Sequence, residues 1–384
     1  MSAEKPPYRL RLPGPTTVPE RVRLAAASPL VNHRGPEFSA IAAEVALLLQ
    51  RIIGTSNDVL LFGCSGTGMM EASLVNVLGP GDRVLVIANG QFAERFATIA
   101  RALGHHADTI DVPWGEAVTA DALAARLAAA DYRAVVAVHN ESSTGAVANL
   151  AEIGAVVRTT PALLIVDSVS GLAGIEMQQD RWGVDILIGA SQKALMCPPG
   201  LGLASVSEKA WKAIEADGGR SRFYWDFRKA RESAAKGQTA FTPPVTLVVA
   251  LREALRMIFE EGLPEVLDRH RRLADALRQG GAAMGLTLFT RSPLVSDTVT
   301  VFDVPAGLDG GTIVRRLYET YGTVIAGARN KLNGKVIRIG TMGHVGEPDI
   351  ILDLLHLERA LEDLGRPVPR GAAVTAATAR LRRS

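Results

Sequence analysis

Cysteine is nearly absent: Cys64 and Cys197 are the only two among 384 residues. Two widely spaced thiols build neither a disulfide framework nor a zinc site. A reducing cytoplasm is therefore the expected setting. Excess charge is absent as well. The 42 Lys and Arg against 40 Asp and Glu leave a net charge of +2, so nothing steers the chain toward nucleic acid or a membrane surface. No apolar run approaches the roughly 20 residues a membrane span needs. The opening MSAEKPPYRL lacks the apolar stretch of a secretory signal, and the basic end, TARLRRS, matches no lipid anchor or address. Internal repeats and low-complexity linkers are missing too. What is there is a globular composition, 47% hydrophobic and 21% charged, long enough for two domains with sizeable cores.

Strand and helix patterns alternate after residue 60. Short β-rich runs stand at RVLVIA (83–88), RAVVAVH (133–139), ALLIVDSV (162–169), VDILIGAS (184–191) and LGLASVS (201–207). The first three are followed by helix-like stretches, with FAERFATIARALG and DALAARLAAA as examples of the spacing. Near-continuous apolar strands between helices imply an α/β fold with a mostly parallel sheet covered on both faces. The last two runs are too close for a parallel crossover, which needs a dozen residues or more. They should pair antiparallel, with Lys193 at the start of their connection. A long helical stretch near 243–280 leads into a second α/β unit, DTVTVFDVP to DIILDLLHLERALEDLG. The expected organisation is a large domain over 15–255 and a smaller one built from 1–14 and 256–384. A cleft between two such units is a usual ligand site.

Lys193 sits in IGASQKALMCPPGLG (188–202), a stretch otherwise built for burial. Burying an ammonium is costly, and such a group lowers its pKa or pairs. A lysine driven toward neutrality suits Schiff-base chemistry; an isolated one is more simply a strand-end residue reaching solvent. Asp167 closes LLIVD, where open α/β sheets bind ligands, although a loop cap explains a lone acid equally well. CSGTGMMEASLVNVL (64–78) is a Gly-rich turn opening an amphipathic helix. The helix start offers N–H groups to an anion, and Ser65 and Thr67 add hydroxyls. A plain capped helix start is the alternative. Phe92 in NGQFAERF follows a strand end, and either stacks on a ring or fills core. HNESSTG (139–145) is a polar cluster after an apolar strand, a place where either function or turn chemistry puts Ser, Thr and Gly. In KVIRIG, Arg338 shares a strand face with Val336, opposite Ile337 and Ile339. Its partner is either a substrate carboxylate or an internal acid.

Taken together these segments resemble the class V (fold type I) pyridoxal phosphate-dependent aminotransferases, nearest the alanine–glyoxylate and serine–glyoxylate (serine–pyruvate) group. The matching pieces are PGPT (13–16), SGTGMMEASLVNVLGPGD (65–82), NGQF (89–92), HNESSTG (139–145), VDSVSGLAG (166–174), WGVDILIGASQKALMCPPGLG (182–202), FTPP (241–244) and GKVIRIG (334–340). They run in family order through nearly the whole chain. The resemblance implies that Lys193 carries pyridoxal 5'-phosphate as a Schiff base and moves protons. It implies that Asp167 pairs with the pyridine nitrogen, with Val169 and Phe92 on opposite ring faces and Ser142 near the phenolic oxygen. Ser65, Gly66, Thr67 and Gln192 would hold the phosphate. Thr242, and Thr239 in place of a tyrosine of some relatives, would come from the other subunit of a homodimer with shared active sites. Arg338 would bind the substrate's α-carboxylate. The implied reaction moves an amino group from alanine or serine to glyoxylate or pyruvate in ping-pong fashion; aspartate, 2-aminoethylphosphonate and pyridoxamine are alternative donors.

Cysteine desulfurases share this fold but need a nucleophilic cysteine downstream of the lysine. Here none follows Cys197, and Gln192 stands where those enzymes usually have histidine. A nicotinamide oxidoreductase needs a GxGxxG loop that this chain lacks. A non-catalytic binding protein of this fold would be expected to lose Lys193 or Asp167, and both are present.

Overall fold

The structure is a computed structural model that describes residues 8–216 and 221–381. A short strand, β1 (Arg9–Leu10), precedes helices α1 (Glu20–Ala26) and α2 (Pro36–Ile53). Then come β2 (Asp58–Cys64), α3 (Gly66–Val77), β3 (Arg83–Ala88), α4 (Gln91–Ala102), β4 (His106–Asp111), α5 (Ala120–Ala129) and β5 (Ala134–Val138). A small hairpin, β6 (Asn140–Glu141) and β7 (Ala146–Val147), leads to α6 (Leu150–Val157) and β8 (Leu163–Asp167). The single turn α7 (Gln179–Trp182) precedes β9 (Ile186–Ala190) and β10 (Gly200–Val206). Helices α8 (Glu208–Glu215), α9 (Phe227–Ala234), α10 (Val245–Glu261) and α11 (Leu263–Ala283) follow. The rest is β11 (Val299–Asp303), α12 (Gly310–Tyr321), β12 (Thr323–Val324), β13 (Ala326–Gly327), β14 (Val336–Gly340), α13 (Glu347–Asp363) and α14 (Ala372–Leu381).

Seven strands form the main sheet in the order β2-β10-β9-β8-β5-β3-β4. Six point one way. Only β10 opposes its neighbours, pairing antiparallel with both β9 and β2. This is the mostly parallel α/β sheet, with the antiparallel β9–β10 pair, that the spacing of the apolar runs implies. Two members were not read from the sequence. Both β2 and β4 are edge strands, and HADTID of β4 is half-buried and polar. The run ending at Asp167 also departs from expectation: no long helix follows it, only a turn and the four residues of α7.

The sheet core alternates strictly. Leu85, Val135, Leu164, Leu187 and Leu203 face α2, α6 and α10. Val84, Val136, Ile165, Ile188 and Ala204 face α3, α4, α8 and α9. Period-two side-chain alternation thus buries both faces. A smaller sheet, β11-β14-β13, packs Phe302, Ile337 and Ile339 against the helices after α10. The start of the chain joins this smaller sheet's surroundings. β1 lies parallel to β12, the Gly340 N–H donates to the Arg11 carbonyl, and buried Arg11 meets Asp353 at 2.5 Å.

The consequence for function is geometric. The six co-directional strands end on one side of the sheet. From the ends of β2, β3, β5, β8 and β9 run the segments that carry Ser65–Thr67, Phe92, Ser142, Asp167 with Val169, and Gln192–Lys193. Loops at this edge are where open α/β sheets place ligands.

Candidate active site

Nine residues, 191–199, connect β9 to β10. Ser191 fixes the shape of this loop: its hydroxyl donates to the Pro198 carbonyl at 2.6 Å and accepts the Leu201 N–H at 3.3 Å. Thr16 clamps it from outside, with its hydroxyl on the Lys193 carbonyl at 3.0 Å and its N–H on the Gln192 carbonyl at 3.2 Å. The Lys193 amine is turned onto the Pro13 carbonyl. Gly14 permits this approach. Its φ is +101°, and a Cβ there would stand 2.4 Å from Lys193 Cδ and Nζ.

One cavity is lined by Phe92, Val138, Asn140, Ser142, Asp167, Val169, Ser170 and Lys193. Five of the residues singled out from sequence therefore meet there: Phe92, Ser142, Asp167, Val169 and Lys193. Asp167 is only 4% exposed, and its Oδ1 accepts the Val169 N–H at 2.8 Å. Burial pushes its carboxyl up to about 7, against the pull of that N–H. Burial and the Arg338 charge bring the Lys193 amine down to about 8, with Asp167 opposing. The site thus holds an acid and an amine that both titrate near neutral pH.

The start of α3 adjoins this cavity. Ser65 stands at the N-cap of α3 without a side-chain cap bond. A Cβ on Gly66 would come within 3.0 Å of Val169 Cγ2, so the helix start lies directly against the cavity wall. Thr67 is exposed, and its hydroxyl accepts from Arg95 Nη1 at 3.0 Å. Gln192 neighbours Lys193, with its side-chain Oε1 buried and unpartnered.

Arg338 arrives from β14. Its Nε and Nη2 donate to the Gly327 carbonyl at 2.9 and 2.7 Å, and Nη1 donates to the Ser142 carbonyl at 2.9 Å. These partners are neutral carbonyls, not the internal acid that was the alternative from sequence. Three of the five guanidinium N–H donors are thereby used, which leaves two for a ligand.

Thr239 and Thr242 are not brought to this cavity. They line a second one of about 260 Å³, with Ala43, Phe62, Tyr224 and Phe241 beside α2 and β2. Thr239 donates to the Phe241 carbonyl at 2.7 Å. Cys197 is buried against the Leu247 carbonyl, and burial pushes its thiol up to about 12, which suits a structural residue.

Several site residues escaped the sequence reading. Glu141 is fully buried beneath α4, where it accepts the N–H groups of Phe92 at 2.9 Å and Ala93 at 3.2 Å, and the Ser143 hydroxyl at 2.6 Å. Burial raises its carboxyl, and these bonds resist. Asn140 donates to the Ser170 and Thr298 hydroxyls, both at 2.9 Å, and keeps a buried, unpartnered Oδ1. His139 lies behind Asp167, with Nδ1 2.9 Å from Ser168 Oγ, and burial lowers it to about 4. The available signal was position: all three sit in HNESSTG, immediately after an apolar strand.

An open α/β sheet with a near-neutral amine and acid at adjacent strand ends defines the architecture of fold type I transferases. The comparisons agree. The profile described as Aminotransferase class-V matches residues 22–327. An uncharacterized aminotransferase of Methanocaldococcus jannaschii is 41% identical, covering 93% of each chain. The serine–glyoxylate aminotransferase of Methylorubrum extorquens is 36% identical over 100% of this chain and 98% of its own. The crystal structure of ureidoglycine–glyoxylate aminotransferase from Bacillus subtilis superposes with a TM-score of 0.93 at 30% identity, covering 99% of both chains. The chain belongs to the class-V aminotransferases and is a transaminase.

Proposed function

We propose that this transaminase uses pyridoxal 5'-phosphate to move an amino group from a small amino acid, serine or alanine, to glyoxylate or pyruvate. The observation that carries the reading is the shared cavity of Lys193 and Asp167, between Phe92 and Val169. Two of the similar proteins above are glyoxylate aminotransferases, which favours glyoxylate as the acceptor.

The residues present fit the cofactor. A buried acid with a raised pKa is what a pyridinium N–H would stabilise, and Asp167 is one. The start of α3, where Ser65 makes no side-chain cap bond, suits a phosphate; the buried, unpartnered Oε1 of Gln192 is an acceptor, so only its amide NH2 would serve one. The free volume is about 20 Å³, roughly one water. A planar ring therefore seats here only as side chains such as Lys193 move aside. Phe92 and Val169 would flank it, with Ser142 near its oxygen. When bound, pyridoxal phosphate supplies an electrophilic carbon for the amine and a sink for the electrons of the substrate's Cα–H bond.

The chain's own part is proton handling and orientation. Lys193, with its amine near 8, is unprotonated often enough at neutral pH to take the Cα proton and return it. Asp167 keeps the ring nitrogen protonated. The two remaining donors of Arg338 take the α-carboxylate as a fork. We infer a cytoplasmic homodimer, in which Thr242 and Thr239 of each subunit serve the partner's site. Their distance from their own cavity supports this, as does the apolar cluster of Phe223, Tyr224 and Phe241 beside them. Among the described residues no helix is long and apolar enough to cross a membrane.

The test is a half-reaction screen of the loaded enzyme with serine, alanine, aspartate and 2-aminoethylphosphonate, read by loss of its visible band. Serine or alanine should react fastest, and glyoxylate should restore the band. Lys193→Ala should lose the band and at least about 10³-fold in rate. A yellow, active Lys193→Ala enzyme would refute the assignment.

A further inference from the structure

We propose that Arg95 is a positioning residue for the cofactor's phosphate, acting through the Thr67 hydroxyl; the proposal rests on the pyridoxal phosphate reading above. Arg95 sits in α4, three residues beyond Phe92, and reaches across to the start of α3. Its Nη1 donates to Thr67 Oγ1 at 3.0 Å. Its guanidinium carbon stands 4.7 Å from the centre of the Phe92 ring. One side chain therefore touches both a hydroxyl in the first turn of α3 and the ring assigned to stack on the cofactor.

A threonine hydroxyl has one proton to give and lone pairs with which to accept. Left alone it donates or accepts as its surroundings dictate. Once Arg95 donates to one lone pair, the hydroxyl keeps one lone pair and its own proton, and the cation beside it turns that proton away. That proton belongs to the first turn of α3, where unpaired N–H groups already favour an anion. A donor from a cation also polarises the O–H and strengthens the bond it gives. Arg95 thus biases an ambivalent hydroxyl toward giving its proton to the phosphate.

The arrangement is held from behind. The Phe92 ring supports the guanidinium by a cation–π contact. Phe92 is itself fixed through its N–H on buried Glu141, at 2.9 Å. Glu141, Phe92, Arg95 and Thr67 form a continuous chain from the floor of the site to its phosphate end.

The experiment compares uptake of pyridoxal phosphate with uptake of pyridoxal, which lacks the phosphate, by the apoprotein. Absorbance and tryptophan fluorescence report binding without any turnover. Arg95→Met should weaken pyridoxal phosphate about tenfold, one charge-assisted hydrogen bond, and change pyridoxal by roughly twofold or less. On a Thr67→Val background the same substitution should cost nothing more. Equal loss for both ligands would make Arg95 merely structural and overturn the proposal. Loss that persists without the Thr67 hydroxyl would make its charge the agent, and would overturn it too. Thermal melts of the apoproteins report folding, and Arg95→Gln carries the same comparison should Arg95→Met not fold. Wild-type apoprotein that takes up neither ligand would instead sink the cofactor reading itself.

Discussion

Asp167 shows how a single side chain trades stability for chemistry. Its carboxyl is about 7 in the folded chain against 3.8 in the reference state. Between those values the folded protein holds a proton that the unfolded chain has released. Stability therefore falls as pH rises through that window. Asp167→Asn stays neutral throughout. The cofactor-free variant should gain on the wild type between pH 4 and pH 7, by about 2–4 kcal/mol, while losing transaminase activity. Melting curves of both apoproteins across this range provide the check, and a constant difference would refute it. His139 and His270, each lowered to about 4 by burial, charge in the same acid range but are common to both chains. At this scale the sequence exposed the chemistry-bearing pair, because an amine and an acid stand out in apolar runs. It hid Glu141 and Arg95, whose partners lie about 50 and 28 residues away in the chain and meet them only through packing.

At the scale of elements, the strands that could be read were those buried on both faces, where nearly every residue is apolar. β4 could not, because a half-buried edge strand carries His106, Asp108, Thr109 and Asp111 and loses the pattern. The loop after β9 was legible by arithmetic, since nine residues permit only an antiparallel return. Its lid was not. That Pro13 and Gly14 close over Lys193 follows from a contact across 180 residues. Gly14→Ala tests that closure. The new methyl would meet Lys193 at 2.4 Å, from a φ of +101°. Activity should drop about tenfold or more, and stability by about 1–3 kcal/mol, from the strained φ and the overpacking. Steady-state rates and urea unfolding of the variant measure the two effects, and unchanged rates would show that the lysine has room to spare.

At the scale of the molecule, the chain's start is bonded to its last third. Arg11 and Asp353 form a buried pair at 2.5 Å, with Arg9 3.3 Å from the same acid. Burial raises Asp353, and both arginines pull it down. Arg11→Ala should cost about 3 kcal/mol at pH 8, because it leaves a buried carboxylate with Arg9 alone as a charged partner. The cost should shrink as pH falls and Asp353, already raised by burial, takes up a proton; urea unfolding over a pH series gives the comparison. The same architecture orders events in time. Arg9 bonds Thr323 across 314 residues. At translation speeds of about 5–20 residues per second, the first strand waits roughly 15–60 s for its partner to be synthesised. Until then the Pro13–Gly14 segment is held from the Thr16 side, by its bonds to Gln192 and Lys193, and lacks the pairing of β1. A ribosome-bound fragment ending before β12 lacks the partner of β1, so full closure over Lys193 belongs to the finished chain.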